Sequence, residues 1–203
     1  MTLGEEEPGN AAVINSTRGA CAVIRLNRPS ERNPLSISTL ERLDENVSTL
    51  LLRSDINKII FTGAGDVFAS GANIREVAML THASAREFAR RGQRLMQKIA
   101  DAPVLTIAAV NGYCMGGGLD LALSCKLRFA STSAVFAHPG ARLGIITGWG
   151  GTQRLPRLIG TARALEFFAT ARRWSSLEAC EAGLVDRVCD PVLDCALEHP
   201  VEI

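Results

Sequence analysis

Histidine is scarce, with three in 203 residues, and none of the six cysteines forms a C-x-x-C pair. A zinc framework is therefore not expected. No apolar run approaches the ~20 residues that a membrane helix needs. The first residues carry Glu5, Glu6 and Glu7 instead of the basic and then apolar pattern of a secretory signal. The formal net charge is only +1, so no strong field recruits nucleic acid or a lipid surface. Arg86, Arg90, Arg91 and Arg94 read as the wet side of a helix. Together these absences predict a cytoplasmic protein with free thiols, no metal, and no nucleic-acid or membrane partner.

Several catalytic signatures are missing too. No glycine is followed by Lys-Ser or Lys-Thr, which rules out a phosphate-binding P-loop. The stretch GAGDVF (63–68) has Phe68 where a dinucleotide fingerprint needs its third glycine. Phe68 also stands where the first glycine of a serine-hydrolase elbow would precede Ser70. Cys114 reads as a buried structural thiol sooner than as a nucleophile served by His138.

What is present is a globular balance, with 47% hydrophobic and 21% charged residues, enough for one domain with a real core. Residues 1–11 read as a loose acidic tail, 12–190 as the core domain and 191–203 as a short C-terminal tail with little apolar periodicity. Strands are expected at 22–26, 58–62, 104–110, 127–130, 134–137 and 184–188. Leu40, Leu43, Val47, Leu50 and Leu51 share one helical face, after a capping-box spacing at Ser38 and Glu41. Further helices are expected at 84–100, 119–124 and 161–171, with a second capping box at Ser175 and Glu178 opening another. Residues 138–151 read as irregular. No hairpin signal stands out, so the alternation predicts parallel strands joined by helices, an α/β class.

Two turns rich in small residues follow strands: Ala69 to Asn73, and Met115 to Gly118. Each reads either as glycine used for packing or as bare backbone brought close to a ligand. Ligands of parallel sheets bind beyond the strand C-termini. At that edge one N–H from each turn could meet on a single oxygen, as in an oxyanion hole.

The sequence resembles the enoyl-CoA hydratase/isomerase family, the crotonase superfamily, from about residue 13 to 188. The resemblance rests on IRLNRP (24–29) with NPL (33–35), FTG (61–63), FASGANIRE (68–76), AVNGYCMGGG (109–118), GIITGWGGTQRLP (144–156) and EAGLV (181–185), in that order and spacing. It implies a spiral core of repeated ββα units, assembly as a homotrimer or dimer of trimers, and an acyl-CoA thioester as substrate. It implies no cofactor beyond that coenzyme A. Carried over, the N–H groups of Ala72 and Gly117 hold the thioester oxygen while an enolate forms. Ala69, Ser70, Gly71, Asn73, Ile74, Gly116 and Arg28 fall in stretches that line substrate and CoA.

A hydratase of this family uses two carboxylates. Asp120 matches the first, one methylene shorter than the usual glutamate; otherwise it reads as a first-turn helix residue favoured by the dipole. Gly140 stands in place of the second. Related dehalogenases carry an aspartate further on, where this chain has Gly148. Nothing acidic lies between Pro139 and Leu165, and His138 is the nearest titratable group. Asn73 replaces a usual aspartate, and a C-terminal helical segment that covers the pocket in most relatives is not matched. With Asp120 alone, isomerisation or decarboxylation is favoured over water addition. The alternative expectation is a catalytically impaired acyl-CoA-binding or interaction subunit.

Overall fold

The computed structural model describes residues 11–201. The acidic N-terminal tail expected at 1–11 lies outside the described residues but for Ala11.

The chain opens with β1 (Val13–Arg18) and β2 (Cys21–Leu26), then β3 (Pro34–Leu35) and α1 (Ile37–Leu51). It continues through β4 (Lys58–Gly63), β5 (Val67–Ala69), β6 (Gly71–Ala72), α2 (Ile74–Ala78) and α3 (His82–Ala100). Next come β7 (Leu105–Val110), β8 (Tyr113–Met115), α4 (Gly117–Ser124), β9 (Leu127–Ala130) and β10 (Val135–Ala137). The remainder is α5 (Gly140–Leu143), α6 (Gly151–Ile159), α7 (Thr161–Thr170), β11 (Trp174–Ser175), α8 (Ser176–Glu181), β12 (Arg187–Val188) and α9 (Val192–Glu198).

Successive strands do not stay in one sheet. β4, β7 and β9 are neighbours in a six-stranded sheet ordered β1-β2-β4-β7-β9-β12, while β5, β8 and β10 belong to a second sheet ordered β11-β10-β8-β5. Each turn of chain therefore lays one strand in each sheet and then a helix, which is the spiral ββα repeat. The neighbouring strands from β2 to β12 pair in parallel. Strand β1 pairs antiparallel with β2 through a turn at Gly19, whose φ is +58°. That hairpin differs from the expectation of parallel strands alone. β1 is mostly exposed and carries no apolar alternation to announce it.

Side chains of the large sheet alternate between two cores, as the period of two demands. Ala22, Ile24, Ile59 and Phe61 pack inward with α1, α3 and α4 residues such as Leu43, Met96 and Leu121. Val23, Ile60, Ile107 and Phe129 pack on the other face with Val192 and Ala196 of α9. Burial on both faces explains why β4 reads as a continuous apolar run.

The stretch expected as a short tail thus contributes a helix that covers the sheet. Lys58, buried in β4, donates to the carbonyls of Ala196 (3.1 Å), Leu197 (2.7 Å) and His199 (2.7 Å). These are end-of-helix acceptors with no partner within the helix, and a cation there also complements the dipole. Lys58→Met is expected to cost about 2–3 kcal/mol, the scale of losing hydrogen bonds to a charged group. Urea denaturation would show the lowered midpoint, and amide exchange would show α9 losing protection. An unchanged midpoint would mean that water serves these carbonyls equally well.

Other boundaries moved as well. The N-cap of α1 is Ser36, which accepts from Thr39 N–H, and not Ser38. The capping box at Ser175 and Glu178 is present. The region 138–151, expected to be irregular, holds the short α5 and leads into α6 at Gly151. Among the described residues no helix is long and apolar enough to cross a membrane.

Candidate active site

β5, β8 and β10 lie side by side in the second sheet, and the chain leaves all three at one edge because they run parallel. The three exits are Ser70 to Ala72, Gly116 and Gly117, and His138 to Gly140. They wall a cavity of about 230 Å³, closed by α2, α3 and the 143–149 segment.

Strand β6 is held against β3, pairing Gly71 with Pro34 and Ala72 with Leu35. Gly71 has φ +95°, and a Cβ there would lie 2.8 Å from both Gly117 N and Met115 O. Only glycine lets the two turns approach so closely. A Cβ on Gly117 would lie 3.4 Å from Ala72 N and 2.4 Å from Trp149 Cζ3. The amides of Ala72 and Gly117 are thus neighbours across one contact. Gly117 is the first residue of α4, and among the described residues its N–H donates to no carbonyl, as expected for a first-turn amide.

Asp120 lies one turn into α4 and is 1% exposed. Its Oδ2 accepts from the Thr147 hydroxyl. Its Oδ1 is buried without a hydrogen-bond partner among the described residues. Burial pushes its pKa up from 3.8 to about 6. The Thr147 hydroxyl, the Trp149 amide, the Arg154 charge and the Gly151 amide oppose that rise. Neither amide makes a well-formed hydrogen bond to Oδ1. Arg154 is itself held away from the carboxylate, donating to Trp149 O (3.2 Å) and Gln97 Oε1 (3.1 Å).

His138 lines the same cavity, 5% exposed, with its ring edge-on to Phe168 at 5.2 Å. Burial lowers its pKa to about 4, so at neutral pH the imidazole is uncharged. Gly140 is more than a missing side chain. A Cβ there would lie 2.4 Å from Ile145 O and 3.1 Å from His138 Nδ1. The backbone and the imidazole already fill the place where a carboxylate would start. Gly140→Glu is therefore expected not to create activity. It is expected to destabilise the fold by about 1–3 kcal/mol, as overpacking does, which a thermal melt would show.

Ser70, Gly71, Ala72, Ile74, Gly116, Gly117 and Asp120 share this cavity, with Gly148 on its wall. Ala69, Asn73 and Arg28 do not line it. Ala69 is fully buried under Gly118. Asn73 caps α2 by accepting from Arg75 N–H at 3.0 Å. The backbone N–H of Arg28 donates to Asn33 Oδ1 at 2.8 Å. Asn33 in turn donates to Ala64 O and Val67 O, tying the NPL stretch to the loop before β5 and to the first residue of β5.

Sequence reasoning missed Thr147, Phe88 and the wall of Leu143, Ile145 and Ile146. It also left Trp149 without a role. The indole packs against Phe88 in a tilted arrangement with ring centroids 5.4 Å apart and fits only because Gly92 and Gly117 lack side chains. A tryptophan among glycines was the available signal. Thr147 had none.

An α/β spiral with an apolar cavity, backbone amides and one buried carboxylate at its strand ends defines the class. The chain matches the enoyl-CoA hydratase/isomerase family over residues 16–199, and it belongs to that family. It is 38% identical over 180 residues to the short-chain-enoyl-CoA hydratase of Clostridium acetobutylicum, covering 88% of this chain and 69% of that one. It is 43% identical over 184 residues to the putative enoyl-CoA hydratase/isomerase YngF of Bacillus subtilis, covering 90% and 71%. Among solved structures, the enoyl-CoA hydratase of Bacillus anthracis superposes with a TM-score of 0.88 at 36% identity, over 93% of this chain and 74% of that one.

Proposed function

We propose that this protein binds an acyl-CoA thioester and moves a proton beside its carbonyl, as an isomerase or hydratase-like lyase. The thioester oxygen accepts from the N–H groups of Ala72 and Gly117. The positive end of α4 adds to the field at that point. Asp120 is the base: the C–H electron pair passes into the thioester as an enolate while the proton goes to the carboxylate. These donors act most strongly on the charge that appears in the transition state. Returning the same proton to another carbon completes an isomerisation without a second acid. The single observation that carries this reading is the neighbouring amides of Ala72 and Gly117 in one cavity with Asp120.

A second reading, acyl-CoA binding without turnover, draws on the filled space at Gly140. One experiment separates them. Butyryl-CoA in D₂O with the purified protein is followed by NMR, with calorimetry for binding. Exchange of the C2 protons is expected. Binding without exchange would favour the second reading, and no binding would overturn both.

A further inference from the structure

An aspartate is a short arm for a general base, and reach errors of about 1 Å are costly in proton transfer. Something has to fix the short arm. The Thr147 hydroxyl donates to Oδ2 from across 27 residues of chain. The approach depends on Gly151, where a Cβ would fall 2.2 Å from Asp120 Oδ1 and 2.9 Å from Thr147 Cγ2. Thr147 is half-buried on the cavity wall, while Oδ1 is sealed from solvent beside Gly151.

Resting on the function proposed above, we propose that Thr147 is the positioning residue of the proton-transfer step: its hydrogen bond to Oδ2, made from the cavity wall, fixes the carboxylate where it takes the substrate proton. The C–H bond breaks, its electron pair enters the thioester as enolate, and the proton resides on the carboxylate, from which it is returned to carbon or, in D₂O, lost to solvent so that a deuteron takes its place on C2. The Thr147 proton stays on its own oxygen throughout. The clamp also favours the ionised carboxylate, opposing burial. Besides the Trp149 and Gly151 amides, the charged or titratable groups around this carboxylate are the Arg154 guanidinium from α6, the Cys114 thiol from β8 and the neutral His138 after β10. Neither thiol nor imidazole charges near pH 6, since burial raises the first and lowers the second.

The test compares Thr147→Val with Thr147→Ser. In the valine variant kcat for C2-proton exchange is expected to fall about 10–100-fold, with KM for butyryl-CoA within about twofold. The acid limb of its pH profile, set by Asp120 near pH 6 in the parent, is expected to move up by about one unit. Serine, which keeps the hydroxyl, is expected to restore both. Carbon-13 NMR of the labelled Asp120 carboxyl reads the same upward shift without turnover. An unmoved carboxyl midpoint in the valine variant, or a serine variant no better than valine, would overturn the positioning role. A parent protein that exchanges no proton would overturn the catalytic reading on which that role rests, whatever the carboxyl midpoint.

Discussion

Asp120→Asn is expected to lower C2-proton exchange by about 10²–10⁴-fold, the usual share of a general base, while making the folded protein more stable at neutral pH. Both effects have one cause. The carboxylate is 1% exposed and has one oxygen without a partner. Its folded pKa is raised by burial from 3.8 to about 6. A raised acid binds its proton more tightly when folded, so stability falls as pH climbs from about 4 through about 6 and stays lowered above that. At ~1.4 kcal/mol per unit, the full penalty at pH 8 is about 3 kcal/mol. Asparagine does not ionise, and its amide can donate to Thr147 while its oxygen faces the Gly151 side. A gain of about 1–3 kcal/mol at pH 8 follows, with little at pH 4. Urea titrations at the two pH values would show it. An equal difference at both would mean that Asp120 carries no buried charge.

Gly71→Ala is expected to lower turnover by about 10²–10³-fold, the scale of losing one oxyanion donor, even though it adds only a methyl group. The new Cβ would sit 2.8 Å from Gly117 N and from Met115 O, on a backbone with φ +95°. The two turns must separate, which moves the Ala72 and Gly117 amides apart. Strain alone would also cost stability, so a control is needed. Gly19 has φ +58° and open space around it. Gly19→Ala should share a destabilisation of about 1 kcal/mol and keep full turnover. Equal turnover in both variants would remove the catalytic meaning of the Gly71–Gly117 contact.

The glycine turns that wall the cavity were legible because their signal is local. Glycines at 71 and 116–118 follow apolar strands, and no side chain competes with the backbone there. The buried strands and the helices α1, α3 and α7 were legible through periodicity. What stayed hidden depends on partners far away in sequence. α9 has only Val192 and Ala196 fully buried, and its end is satisfied by Lys58 from β4. α6 starts at a glycine and contains Pro156, although Leu155 and Ile159 are spaced for one face. Thr147 sits among glycines with no periodic neighbour, and only the folded chain brings it to Asp120. Gly140 looked like a deletion in the sequence. The fold turns it into a filled space, because the Ile145 carbonyl and the His138 ring meet there.

The polarisation of the bound thioester can be read directly from the infrared band of a ¹³C-labelled carbonyl in butyryl-CoA. In complex with the protein, the carbonyl stretch is expected at lower frequency than in free butyryl-CoA, and the shift should vanish in Gly71→Ala. A complex that forms with the carbonyl band unshifted would contradict the assignment of the Ala72 and Gly117 amides to the thioester oxygen.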